Sequence, residues 1–249
     1  MLPMFRAFLV ALNFGLATFV FGSTVLVAAL LRIKDRPGSP YDWCPRWWGK
    51  THLFLGRARV VEHDAHHKEG AQHIFVANHL SNFDVFALAA SLPWIKFVAK
   101  AELFKVPILG PAMLRAGMIP IERANRKSAF KSYAEATERI QRGASVAVYP
   151  EGTRGDSYAL RPFKKGPFVL AIQAQAPIVP VLVYGALDRQ RKGEFKVYPG
   201  EVHLHYLPAI PTAGLTYDDR DRLAQQAYEA MAACLLATYG VASPPFRGA

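Results

Sequence analysis

Residues 74–84 are IFVANHLSNFD, a stretch in which four apolar residues are followed at once by polar ones. A short apolar run bounded by polar residues is typical of a buried β-strand. The polar residues then form the loop at the end of the strand and the first turn of a helix, where functional sites are commonly built. Further apolar runs of this kind predict strands at 58–62, 95–99, 118–121, 145–149 and 178–184.

Helical patterns lie between and after these runs. Residues 126–142 place apolar residues on one face and charged residues on the other, as an amphipathic helix does. Residues 217–239 form a second predicted helix, preceded by Thr216 with Asp219 at capping-box spacing and ended by Gly240. Strands that alternate with helices indicate the α/β class. We expect a mixed, mostly parallel sheet flanked by helices.

The domain organisation follows from the same patterns. Residues 58–242 are predicted to form the main domain. Residues 1–57 are predicted to form a separate N-terminal segment, and residues 243–249 a flexible tail. Within the domain, residues 195–198 and 202–206 flank a Pro-Gly pair, a pattern that predicts a β-hairpin.

The N-terminal segment is predicted to bind a membrane. Between Arg6 and Arg32 the chain has 25 uncharged residues, enough for a helix that crosses a bilayer. Three basic residues follow by position 36, so the positive-inside rule places the remainder in the cytoplasm, at the inner or plasma membrane. A cleaved signal peptide and a helix lying in the membrane interface remain alternatives. Residues 37–50 carry three tryptophans beside basic residues, typical of an interfacial segment or of core packing.

Composition limits the possible classes of protein. The chain has 249 residues, 51% hydrophobic and 20% charged, which excludes a disordered chain. Cys44 and Cys234, its two cysteines, form no disulfide framework and no zinc ribbon. The net charge of +11 favours anionic partners, and residues 96–165 contribute fourteen basic against six acidic residues. Nucleic acid is not expected, because no nucleic-acid-binding motif is present.

His79 and Asp84 are the candidate catalytic pair. A carboxylate that holds one imidazole nitrogen leaves the other free to act as a general base. The alternative is a purely structural pair at a helix start. Two other strand ends carry polar residues that suit a phosphate, namely Arg123 in one and Gly152, Thr153 and Arg154 in the other. Each of these segments alone is typical of a surface turn.

Together, four ordered segments resemble one family. They are NHLSNFD (78–84), GMIPIER (117–123), VYPEGTR (148–154) and IVPV (178–181). They look like the four blocks of the glycerolipid acyltransferases of the 1-acylglycerol-3-phosphate acyltransferase type, which includes bacterial PlsC-like enzymes. The resemblance covers residues 74 to about 185. Pro120 and Tyr149 depart from it, since an aromatic residue and Phe are common at these two positions.

The resemblance implies transfer of an acyl group from an acyl thioester, on coenzyme A or on acyl carrier protein. His79, oriented by Asp84, would deprotonate the sn-2 hydroxyl of 1-acylglycerol-3-phosphate, which attacks the thioester directly and gives phosphatidic acid. Arg123, Glu151, Gly152, Thr153 and Arg154 would bind the substrate phosphate and line the site. Lys100 resembles a recurring lysine of the family and would meet a phosphate or the thioester donor.

The sequence leaves two alternative functions open. The same chemistry on another lysolipid, such as lyso-ornithine lipid or lysophosphatidylglycerol, and a non-catalytic lipid-binding protein both remain open. No cofactor beyond the thioester co-substrate is expected. No metal is expected either, because the group His63, Asp64, His66 and His67 lies in a hydrophilic loop without an ordered scaffold. The expected partners are membrane lipid, a lysophospholipid acceptor and the acyl donor.

Overall fold

The computed structural model describes residues 2–70, 72–122 and 126–247, without the side chains of 126–132. Its strands are β1 (Ala58–His63), β2 (Ile74–Ala77), β3 (Ile95–Lys100), β4 (Ile119–Ile121), β5 (Ser145–Val148), β6 (Ile178–Tyr184) and β7 (Gly200–Tyr206). Its helices are α1 (Leu2–Leu30), α2 (Pro40–Gly56), α3 (Asn82–Ser91), α4 (Leu109–Arg115), α5 (Arg126–Gln141), α6 (Gly166–Ala174), α7 (Ala186–Arg189) and α8 (Arg220–Tyr239).

The strands form one sheet in the order β1-β7-β6-β2-β5-β3-β4. β6 and β7 are antiparallel, and every other neighbouring pair is parallel. The predicted mixed, mostly parallel sheet is therefore confirmed. Because β2, β5, β3 and β4 run in the same direction, their carboxyl ends lie at one edge of the sheet. The polar segments that follow β2, β5 and β3 in sequence therefore lie at that edge.

Helices cover both faces of the sheet. In β2, Phe75 and Ala77 pack under α1, α2 and α3, whereas Ile74 and Val76 pack under α5, α6 and α8. All four of these side chains are at most 2% exposed. A parallel sheet covered on both faces is expected to have such continuous apolar strands.

The apolar helix α1 packs against the rest of the domain. Near its start, the carbonyl of Pro3 accepts a hydrogen bond from the Val197 amide at 3.0 Å. In its middle, Thr18 accepts one from the Trp48 indole of α2 at 3.2 Å. Its inward residues, including Ala7, Val10, Val25 and Ala28, belong to the core. The first helix therefore supplies one wall of the protein interior.

An ion pair between a buried lysine and a more exposed aspartate fixes the segment that leaves α1. Lys96 on β3 is 1% exposed, and its Nζ lies 2.9 Å from both carboxylate oxygens of Asp35. Burial is the largest effect on Lys96 and lowers the pKa of its ammonium, while Asp35 acts in the opposite direction. Together with the contact of Pro3, this pair holds α1 against the sheet at both ends.

α2 and α3 approach each other unusually closely at a glycine. A Cβ added to Gly49 would lie 2.7 Å from the carbonyl oxygen of Phe86 in α3. No larger residue fits there without moving the helices. The close approach fixes α3, and with it residues 79–84 at its start, against the N-terminal helices.

The predicted hairpin is wrong. Residues 195–198 form no strand, and the Tyr198 amide instead donates to the Arg189 carbonyl at 2.9 Å. β7 pairs with β1 on one side and with β6 on the other, so neither edge of β7 is left for these residues. The second predicted helix is confirmed as α8 with a short 3-10 turn before it, and it ends at Gly240.

Candidate active site

Asp84 is fixed by the backbone that surrounds it. Ser81 is the N-cap of α3, and Asp84 is its third helical residue, so the two form a capping box. Oδ2 of Asp84 accepts hydrogen bonds from the amides of Leu80 and Ser81, each at 2.7 Å. The side chain has no solvent exposure. The carboxylate is thus buried, satisfied by main-chain donors and held in one orientation.

His79 is oriented by this carboxylate. Its Nδ1 lies 3.0 and 3.1 Å from the two oxygens of Asp84. Since a carboxylate oxygen accepts, Nδ1 carries the proton and donates it to Asp84. Nε2, on the other side of the ring, is then the unprotonated nitrogen and is available as a general base. The structure therefore brings together the two residues predicted to be catalytic.

The main chain around His79 is held from β6 and from the loop after β5. The side-chain amide of Asn78 donates to the Val183 carbonyl at 2.9 Å and accepts from the Val183 amide at 2.7 Å. The carbonyl of His79 accepts from the Gly155 amide at 2.8 Å. A residue of β6 and the residue directly after the third block therefore hold the chain at Asn78 and His79.

Glu151 supports the main chain at His79. It is 5% exposed, and its carboxylate accepts hydrogen bonds from the amides of His79 and Arg161, each at 3.3 Å. Burial raises the pKa of Glu151 to about 7, against the opposing effect of these two amides. Glu151 is not among the residues that line the main cavity. Its position is that of a residue that holds the loop.

A cavity of about 560 Å³ opens beside His79. Its walls are mostly apolar and come from α1, α2, α3, β3 and α4. The principal wall residues are Phe14, Phe21, Val25, Cys44, Trp48, Val85, Phe86, Phe97, Leu109, Ala112 and Met113. Such a space suits a long apolar ligand. Burial raises the pKa of the Cys44 thiol to about 12, so this cysteine remains protonated and is a poor nucleophile.

Cationic side chains line the cavity as well. Arg154 lines it and donates to Asn82 at 3.1 Å. Lys100 lines it as well and lies 3.1 Å from Glu102, with 56% of its side chain exposed. Thr153 lines it between these and Lys192, whose Nζ lies 3.5 Å from the Thr153 hydroxyl. The site can therefore hold an anionic group next to the base.

One more predicted site residue does not line the main cavity, whereas one residue that was not predicted does. Gly152 has a φ of +73° and borders a second cavity of about 40 Å³ instead of the main one. Arg123 lies outside the described residues. Lys192 was missed by the sequence interpretation, because it follows α7 and belongs to none of the four blocks. Only the fold brings it to the cavity.

The fold is a mostly parallel α/β sheet with a histidine–aspartate pair at its carboxyl edge. The pair lies beside an apolar cavity that cationic side chains also line. These features define a protein suited to an amphipathic anionic ligand. The family model described as Acyltransferase matches residues 58–184. The chain belongs to this acyltransferase family, and the resemblance of its four blocks is confirmed.

Relatives at 34–38% identity support the assignment. The chain is 35% identical over 181 residues to human 1-acyl-sn-glycerol-3-phosphate acyltransferase alpha, covering 72% of this chain and 64% of that one. It is 38% identical over 160 residues to the 1-acyl-sn-glycerol-3-phosphate acyltransferase of Limnanthes alba, covering 61% of this chain and 57% of that one. An uncharacterised acyltransferase of Schizosaccharomyces pombe is 34% identical over 216 residues, with 83% and 76% covered. The match thus spans less than two thirds of the human and plant relatives.

A solved structure shows the same fold. The crystal structure of the 1-acyl-sn-glycerophosphate acyltransferase PlsC from Thermotoga maritima superimposes with a TM-score of 0.76. The alignment covers 94% of this chain and 97% of that chain at 23% identity. The fold therefore extends over the N-terminal helices as well as over the sheet.

Glu151 makes folding stability depend on pH. Its pKa of about 7 in the folded chain exceeds the ordinary value of 4.5, so the folded state binds more protons between these two values. Stability is therefore lost as pH rises from about 4.5 to 7, and the loss is complete above 7. Glu151→Gln, neutral at every pH, removes this dependence. Between pH 5 and pH 8 the wild type should lose about 2 kcal/mol relative to the variant.

The measurement is the free energy of unfolding of both proteins in denaturant at pH 5 and pH 8. The amide of Gln faces a backbone amide, which adds a constant cost at both pH values. Only the difference between the two pH values counts. A difference that is the same at pH 5 and pH 8 would contradict the burial argument.

Proposed function

We propose that this chain transfers a fatty acyl group from an acyl thioester to the sn-2 hydroxyl of 1-acylglycerol-3-phosphate, which gives phosphatidic acid. The observation that carries the proposal is that His79, held by Asp84, lines the same cavity as a set of apolar side chains and a set of cations. An acyl chain matches the cavity, and a phosphomonoester matches the cations. The names of the human and plant relatives agree with this substrate.

The proposed mechanism is direct attack. Nδ1 of His79 donates to Asp84, and Nε2 takes the proton of the glycerol hydroxyl as its oxygen attacks the thioester carbonyl carbon. The tetrahedral intermediate then collapses with cleavage of the carbon–sulfur bond. The thiolate leaves and takes the proton back from the imidazolium. Since burial keeps the Cys44 thiol protonated, an acyl-cysteine intermediate is not favoured.

The cations divide between the two substrates. Arg154, fixed by Asn82, offers a planar fork that suits the phosphate of the acceptor, and Arg123 of the second block is proposed to join it. Lys100 is proposed to meet a phosphate of the donor or the thioester itself. Thr153 and Gly152 complete the loop beside them. Coenzyme A and acyl carrier protein are both suitable donors.

The site of action is proposed to be the cytoplasmic face of the inner or plasma membrane. α1 is long and apolar enough to cross a bilayer by composition, but its two ends are held to the domain at Val197 and through Asp35. Its outer face is a row of exposed apolar side chains that includes Phe5, Phe8, Leu12, Leu16 and Phe19. A helix held in this way lies in the membrane interface with that face towards lipid.

His79→Ala should lower turnover by roughly 10² to 10⁴, because a general base contributes about that factor. Asp84→Asn should lower it less while also weakening the cap of α3. The assay follows phosphatidic acid by mass spectrometry with purified protein, for a panel of lysolipid acceptors. His66→Ala, which changes an exposed histidine far from the cavity, is the matched control. Wild-type turnover by folded His79→Ala protein would refute the mechanism, and a preference for another lysolipid would refute the acceptor.

Arg154→Ala should raise the KM for the lysophosphatidate acceptor about tenfold or more, because a charge-assisted hydrogen bond to phosphate is lost. The KM for the donor should hardly change. Arg154→Lys should restore little, since lysine cannot make the planar fork. Arg142→Ala, at an exposed arginine of the surface, is the control. An effect on the donor KM alone would mean that Arg154 binds the other substrate.

A double change of Phe8→Glu and Phe19→Glu should lower binding to anionic vesicles, because it places two charges on the proposed lipid-facing surface of α1. Leu236→Glu changes an equally exposed apolar residue on α8 and should leave binding unchanged. Vesicle co-sedimentation measures the difference. Equal losses for both proteins would contradict the proposed orientation.

A further inference from the structure

Tyr149 contacts the candidate base directly. It follows β5, and its ring stacks on the imidazole of His79 with a centroid distance of 4.2 Å and an interplanar angle of 20°. It lines both the main cavity and the cavity of about 40 Å³ beside Gly152. The ring is therefore the wall between the two cavities. It also covers one face of the imidazole and so limits its rotation.

The hydroxyl of Tyr149 is a buried polar group. Among the described residues it has no hydrogen-bond partner of good geometry. Burial raises the pKa of the Tyr149 phenol well above its ordinary value, and both the charge of Asp84 and a hydrogen-bonding interaction with its carboxylate act in the same direction. The hydroxyl therefore keeps its proton throughout the physiological range. Towards a carboxylate it acts as a donor.

Stability gives no reason for this hydroxyl. A buried hydroxyl without a good partner costs about 1–3 kcal/mol, whereas a phenylalanine ring would fill the same space and make the same stack. The resembling family commonly has Phe at this position. A polar atom kept in a buried place next to a catalytic pair points to a role in that pair.

We propose that Tyr149 is a positioning residue that tunes the His79–Asp84 pair: its ring fixes the imidazole plane, and its hydroxyl donates to the Asp84 carboxylate when the site is at work. The inference rests on the proposed function, in which His79 is the base. Oδ2 of Asp84 already accepts two main-chain amides, whereas Oδ1 accepts from Nδ1 of His79 and from no main-chain amide of the described residues.

The hydroxyl affects the base through the charge of the carboxylate. A further donor to Asp84 disperses its negative charge, so the carboxylate stabilises a protonated imidazole less strongly. His79 then remains unprotonated, and active as a base, down to a lower pH. Removing the hydroxyl should have the opposite effect. Tyr149 would thus extend the working range of the enzyme towards acid.

Other charged groups face the same pair from each neighbouring element. Glu151 lies under the His79 amide, Arg154 follows it in the same loop, Lys100 comes from the end of β3, and Lys192 comes from the segment after α7. Of these, Glu151 is the group whose pKa burial raises to about 7. The comparison must therefore be made between proteins that both keep Glu151 and the three cations.

Tyr149→Phe is the direct test, because it removes one oxygen and keeps the stack. The acidic limb of the pH profile of kcat/KM should move up by about half a pH unit or more, while the plateau at high pH stays equal or rises slightly. Tyr149→Leu, which also removes the ring, should lower kcat at every pH with little change in KM. Tyr206→Phe removes a buried hydroxyl that donates to Glu62 away from the site, and it should leave the profile unchanged.

A readout independent of turnover separates this inference from the proposed function. The titration midpoint of His79, followed by NMR of labelled histidine in the full chain, should also move up in Tyr149→Phe. If the wild-type protein transferred no acyl group, the proposed function would be refuted. The NMR titration would still test the role of the hydroxyl in that case. Unchanged pH profiles and midpoints would overturn the inference. A Tyr149→Phe protein that fails to fold would overturn it too, because the hydroxyl would then be structural.

Discussion

One buried carboxylate holds both the fold and the site at the point where they meet. Asp84 has no exposure, accepts the amides of Leu80 and Ser81, and accepts Nδ1 of His79. The first two contacts start α3, and the third orients the base. A buried charge is tolerated only when donors surround it, and here most of the donors are main-chain groups. The helix therefore cannot begin correctly without also aligning the histidine.

The parallel sheet explains why distant segments share this site. β2, β5 and β3 end at the same edge, so the residues after them come together although more than seventy positions separate His79 from Arg154. Backbone contacts then lock the loops to one another, as between Gly155 and the carbonyl of His79. The N-terminal helices close the other side and form much of the apolar cavity. The apolar cavity and the row of exposed apolar side chains thus lie on different faces of α1.

The sequence pattern predicted the strands and helix ends that depend on residues close to one another in the chain. β2 and β6 begin and end where the apolar runs do, and the capping box before α8 is present. The hairpin failed because β7 takes both of its partners from distant strands, which turn residues cannot reveal. Lys192 and the stack of Tyr149 on His79 were out of reach for the same reason. Arg123 was predicted from its block, and its role stays a prediction.

The central claim is direct acyl transfer by a base that Asp84 orients. Its most direct test is intact-protein mass spectrometry combined with lipid analysis in a single turnover, first with acyl thioester alone and then with 1-acylglycerol-3-phosphate added. We predict no change in protein mass without acceptor, followed by release of thiol and an equal amount of phosphatidic acid when acceptor is present. A protein mass increased by one acyl group before acceptor is added, or thiol release without phosphatidic acid, would contradict the claim.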